Sequence, residues 1–217
     1  MTTDTLQWQT QRPRWMRFLA ETVSVIFHPV FTGVMMMYHI TFVESDIFLA
    51  VSERSKTLKF ITFANNNLLF PLLIAWLLKG LGFSSSIRME TARERIVPYM
   101  SVIIFQFWTW HVFRNQDDSP PVLTAMCLGI FLAASLALVF NNFMKVSMHA
   151  IGMGGLTGLM LSLVFLGYAQ GGFPPIASIL LTGLVCTSRM MVGSHDHKEI
   201  LVGFLIGLVT QACCQLA

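Results

Sequence analysis

The sequence predicts an all-α fold, a polytopic transmembrane helix bundle of about six to seven spans. Composition is the first ground: 54% of the 217 residues are hydrophobic and only 12% are charged, where a soluble domain carries about 25%. Mean hydropathy is correspondingly high, at +0.65. The second ground is the length of the uncharged runs, above all Val146 to Ser188, which contains no Asp, Glu, Lys or Arg. The third is the punctuation between runs, where Gly, Pro or clustered charges mark turns. A net charge of +3 is too small and too scattered to argue for nucleic acid. Cys127, Cys186, Cys213 and Cys214 sit within apolar runs at no zinc-site or disulfide spacing, and read as small hydrophobes.

A helical span needs about 20 mostly apolar residues. Thr22 to Val43 is the first such run, and its His28-Pro29 pair is expected to bend it. The arginines before it resemble a signal peptide, but no small-residue cleavage site follows, so the run reads as a retained span. Phe60 to Leu78 is the second, interrupted by Asn65, Asn66 and Asn67, whose amides need partners inside the bundle. Ile96 to Phe113 and Val122 to Met144 are the third and fourth. The long uncharged run breaks at "GYAQGGFPP", residues 167–175, giving spans from Ser147 to about Leu166 and from Ile176 to about Val192. Ile200 to Leu216 is the seventh. The whole chain, 1–217, forms one membrane domain.

Counting spans puts the loops near 83–95, 142–147 and 189–199 on one face, together with the N-terminus. These loops hold the polar clusters: Arg88, Glu90, Arg93, Glu94 and Arg95; then Lys145, Ser147 and His149; then Arg189, His195, Asp196, His197, Lys198 and Glu199. The opposite loops, with Glu44, Asp46, Glu53, Arg54, Lys56, Arg114, Asp117 and Asp118, read as ordinary solvated connections.

Arginine forks bind phosphate oxygens bidentately. One histidine can attack phosphorus while another protonates the leaving oxygen. Glu199 follows His195 by four residues, which one helical turn would place on a common face. "GMGGLTG", residues 152–158, follows no strand and is not a nucleotide site; Gly154 and Gly158 have the spacing that permits close helix contact. That contact would bring His149 toward the other clusters. His28 reads as a packed residue, His197 as a surface residue, and Arg93, Glu90 and Glu94 as solvated charges.

From residue 85 to 210 the chain resembles the type-2 phosphatidic acid phosphatase superfamily, which includes the vanadium haloperoxidases. The family pattern is Lys, six residues, Arg-Pro; then Pro-Ser-Gly-His; then Ser-Arg, five residues, His, three residues, Asp. Here Arg88 precedes Arg95 by the same interval; Val146-Ser147-Met148-His149 stands at the second motif; and Ser188-Arg189, His195 and Glu199 stand at the third. Arg replaces Lys, Ile96 replaces Pro, Met148 replaces Gly and Glu199 replaces Asp. Residues 1–82 form N-terminal spans outside the resemblance.

The resemblance implies that Arg88, Arg95 and Arg189 hold the phosphate, with hydrogen bonds from Ser147. It implies that His195 attacks to give a phosphohistidine, that Glu199 orients its imidazole, and that His149 protonates the leaving group and then activates water. No metal and no cofactor are implied, the arginines supplying the electrostatics. The expected substrate is a lipid phosphate held among membrane lipids: phosphatidic acid, phosphatidylglycerol phosphate or a polyprenyl diphosphate. The alternative is a non-catalytic lipid-phosphate binder or transporter with a degenerate pocket. The expected location is a bacterial inner membrane. Only Arg54, Lys56, Lys59 and Arg114 of the fourteen Lys and Arg fall on the other face, so charge favours a cytoplasmic site, whereas the habit of the family favours the periplasm.

Overall fold

A computed structural model describes residues 13–82, 96–169 and 172–217. The described chain is helical, without strands. The helices are α1 (Arg14–Ile26), α2 (Pro29–Tyr38), α3 (Glu53–Ala64), α4 (Phe70–Gly80), α5 (Ile96–Arg114), α6 (Pro121–Phe140), α7 (Met148–Phe165), α8 (Phe173–Met191) and α9 (His197–Leu216). Among the described residues, six helices are long and apolar enough to cross a membrane, or seven if the bent α1–α2 pair counts as one span. The chain is an integral membrane helix bundle.

Most helix starts carry a residue suited to the post. Ser52 accepts from the Ser55 N–H and Ser147 from the Ala150 N–H, each hydroxyl meeting a donor that has no partner within its helix. Pro29 and Pro121 stand in first turns, where a missing N–H costs nothing.

Two breaks shape the N-terminal half. Pro29 has no N–H for the Val25 carbonyl four residues back. The His28 N–H turns to that carbonyl instead, at 3.3 Å, and α1 ends with a 52° bend relative to the helix that follows. The Ser24 carbonyl, which His28 would have served in a continuing helix, is thereby released. The second break is a wide π turn, Asn65–Leu69, between α3 and α4. It comes just before Pro71 and lets the chain run on as one span, Glu53–Gly80. Its amides find the partners that the hydrocarbon demands. Asn66 donates to Thr109 at 2.8 Å, Asn67 donates to the Val30 carbonyl at 2.7 Å, and Gln106 donates to Asn67 at 2.9 Å. These bonds tie α2 and α5 to the π turn.

The centre of the bundle is α7. It packs on α2, α8 and α9, while α9 also packs on α6 and α6 on α5. The α7–α9 contact is the most extensive and runs parallel, backbone against backbone. Gly154 faces the Phe204 carbonyl and Gly207 the Ile151 carbonyl with no room for a Cβ. A Cβ on Gly203 would stand 2.7 Å from the Ser147 oxygen, and one on Gly158 2.8 Å from the Leu208 oxygen. Small residues are what membrane helices need to approach this closely. The spacing expected to work at Gly154 and Gly158 does so, and is answered by the same spacing at Gly203 and Gly207.

On the face opposite the α7 start, the loops are not merely solvated. Lys59, 4% exposed, sends its ammonium to Asp118 at 2.8 Å and Ser119 at 3.0 Å, and also to Gln116. Ser55 donates to the other oxygen of Asp118. A buried cation from α3 thus latches the turn between α5 and α6. The hydrogen bonds from Lys59 and Ser55 hold the Asp118 carboxyl below the usual carboxylate range.

Gly207→Val is expected to lower stability in detergent by about 1–3 kcal/mol, whereas Gly183→Ala, whose added Cβ meets nothing within 4 Å, should be neutral or stabilising; thermal unfolding of the two variants checks this. Asp118→Asn should cost more than Lys59→Met, because the first strips the charge partner from a buried cation and the second leaves an exposed carboxylate in water. Since the Asp118 value is depressed on folding, the latch contributes fully above the unfolded carboxyl value, about 3.9, and its contribution fades as pH falls through the lower folded value. Stability measured against pH in wild type and Asp118→Asn reads this difference.

Candidate functional site

The turn from α8 to α9 is built by two capping motifs placed back to back. At the end of α8, Gly193 takes φ +72°, its N–H bonds the Met190 carbonyl at 3.0 Å, and the Ser194 N–H bonds the Arg189 carbonyl at 3.2 Å. This is a Schellman ending, in which the left-handed residue favours glycine. At the start of α9, Asp196 accepts from the Glu199 N–H at 2.8 Å and Glu199 reaches back to the Asp196 N–H at 3.3 Å, a reciprocal capping box.

That box also orients the His195 ring. The same Glu199 oxygen that takes the Asp196 N–H lies 2.8 Å from His195 Nδ1. A carboxylate only accepts, so Nδ1 carries a proton. The expected His195–Glu199 pair therefore forms, but not across a helical turn: His195 lies just outside α9, one residue before its cap, and Glu199 folds back to meet it. The His195 side chain is 2% exposed and that of Glu199 20%. His197 and Lys198, by contrast, are exposed.

Ser147 and His149 open α7 beside this turn. The Ser147 N–H donates to the Glu199 carbonyl at 3.2 Å, a direct stitch between the α7 and α9 starts that Gly203 makes possible. Ser147 is fully buried, with its hydroxyl accepting from Ala150. Met148, at the motif's glycine position, is the first residue of α7, where an L side chain fits without strain. His149 is buried, and its Nε2 lies 2.9 Å from the Ser24 carbonyl. A carbonyl only accepts, so Nε2 bears the hydrogen and Nδ1 the lone pair. Arg189 sits in the last turn of α8, near enough for its charge to act on His149 and His28, and the charge of His195 also reaches His149. Ser147, His149, Arg189, His195 and Glu199 are thus brought to one end of the bundle. Arg88 and Arg95 lie outside the described residues.

His28, read from the sequence as a packed residue, packs on His149. Its ring meets that of His149 edge to face, with centroids 5.3 Å apart and planes at 84°. Its Nδ1 accepts from the Val30 N–H at 3.4 Å, capping α2. The one local signal was a histidine directly before a proline in an apolar run, which combines a chain break with a polar ring.

Asp196→Ala removes the cap that holds Glu199 folded back, and is expected to cost about 0.5–2 kcal/mol. It should also loosen the His195 ring, seen as a broadened imidazole signal in the nitrogen spectrum of labelled protein.

Comparison with protein-family models, with curated proteins and with solved structures finds no match for this chain, so the arrangement of side chains carries the functional reading.

Proposed function

We propose that this protein is a membrane-embedded phosphatase that hydrolyses the phosphomonoester or diphosphate of a lipid through a phosphohistidine intermediate. The observation that carries the reading is the His195–Glu199 pair: Glu199 lies 2.8 Å from Nδ1 and so orients the ring, with Nε2 assigned as the attacking atom, at the same end of the bundle as Arg189 and His149. In the first step Nε2 forms a bond to phosphorus and the bond to the lipid oxygen breaks. The leaving oxygen takes a proton that Nδ1 of His149 first accepts from the monoanionic phosphate of the substrate and then passes on, while its Nε2–H stays with the Ser24 carbonyl. In the second step water attacks phosphorus, His149 Nδ1 takes its proton, and the P–N bond breaks to release phosphate. The guanidinium of Arg189 offsets charge on the equatorial oxygens, with Arg88 and Arg95 assigned the same role by their match to the motif. Proton transfer of this kind contributes about 10²–10⁴-fold.

An amphiphilic substrate fits the surroundings. A cavity of about 470 Å³ lined by Met16, Thr187, Met190 and Met191 opens between α1 and the last turns of α8, next to Arg189. A headgroup beside Arg189 would leave acyl or prenyl chains in this apolar cleft. Phosphatidic acid, phosphatidylglycerol phosphate and polyprenyl diphosphates share that chemistry, in a bacterial inner membrane. A second reading, a non-catalytic lipid-phosphate binder, is favoured by Met148 and Ile96, which stand where the motifs have Gly and Pro.

Phosphate release from mixed micelles of each lipid separates the two. Purified wild type should turn over at least one of them, and His195→Asn should lower kcat by about 10³-fold or more. Binding of all three without release by wild type would favour the binder.

A further inference from the structure

The elbow between α1 and α2 lies outside the segment that carries the phosphatase-like motifs, yet two of its groups hold His149. The Ser24 carbonyl takes the Nε2–H, and the His28 ring closes against the imidazole edge to face. Both come from one cause. Pro29 draws the His28 N–H to Val25 and so releases the Ser24 carbonyl; it also opens α2, where His28 is the cap. We infer that this elbow is the positioning element of His149: it fixes the Nε2–H tautomer and leaves Nδ1 as the atom that exchanges protons with substrate. A ring nitrogen committed to a fixed acceptor sets what the other nitrogen can do, and a general acid displaced by about 1 Å loses about 10²-fold in rate. His28 is a positioning residue here, acting through His149. The catalytic consequence rests on the phosphatase reading, while the tautomer does not.

The test uses the full chain in detergent with nitrogen-labelled imidazoles, the His149 signals being assigned by their loss in His149→Asn. Wild type is expected to show neutral His149 protonated at Nε2. Pro29→Ala restores an N–H for Val25, returns the His28 N–H to Ser24, and should convert His149 to a mixture of tautomers, with kcat down about 10- to 100-fold and KM within about twofold. His28→Asn keeps a capping side chain and removes the ring; it should broaden the His149 signals and lower kcat about tenfold at the same KM. It carries the test if Pro29→Ala does not fold. A wild-type His149 protonated at Nδ1 overturns the inference, as does a His149 spectrum left unchanged by the folded variants. If the spectra change as expected but wild type releases phosphate from no lipid, the positioning role stands and the phosphatase reading fails alone.

Discussion

The contact on which the rest depends is the approach of α7 to α9, main chain against main chain, at Gly154, Gly158, Gly203 and Gly207. Lipid tails are as apolar as leucine, so no hydrophobic force drives two spans together. What remains is mainly dispersion between closely fitted surfaces, which a methyl in the seam would weaken by forcing the helices apart locally. Because the seam is parallel and tight at its top, the first residues of both helices share one level. The Ser147 N–H can then reach the Glu199 carbonyl, and the site inherits its dimensions from the glycines beneath it.

The dense charge between residues 189 and 199 has two explanations that coincide. Part of it is the chemistry of helix ends: a Schellman glycine closes α8, and an Asp–Glu capping box opens α9. The same residues set the geometry of the candidate site, since the Glu199 oxygen that caps the helix also lies against the His195 ring. The imidazole is therefore as rigid as the helix start that holds it. A carboxylate with both duties cannot be replaced by a shorter side chain without loosening one of them.

The spans were legible because hydrocarbon imposes a length and a composition on each; the later boundaries differ from the expected ones by a few residues at the caps, while the first two spans begin earlier, at Arg14 and Glu53. The nearness of His195 to Glu199 was legible from spacing, although the geometry behind it is a fold-back rather than a helical turn. The bend at His28-Pro29 was legible, but its hold on His149 was not. Ser24 and His149 stand 125 residues apart, and a hydrogen bond across that separation leaves no periodicity in either segment. The Lys59 latch escaped for a related reason: a lysine near a helix start looks solvated until the turn from another hairpin closes over it.

One feature of the elbow bears on how such a protein diverges over time. The group that Ser24 presents to His149 is its main-chain oxygen, which every amino acid supplies. Position 24 can therefore drift freely among side chains that fit the packing while the bond persists. Selection on that bond would be written at position 29 instead, where the imino acid diverts the preceding amide, so an alignment would flag the proline and pass over its beneficiary.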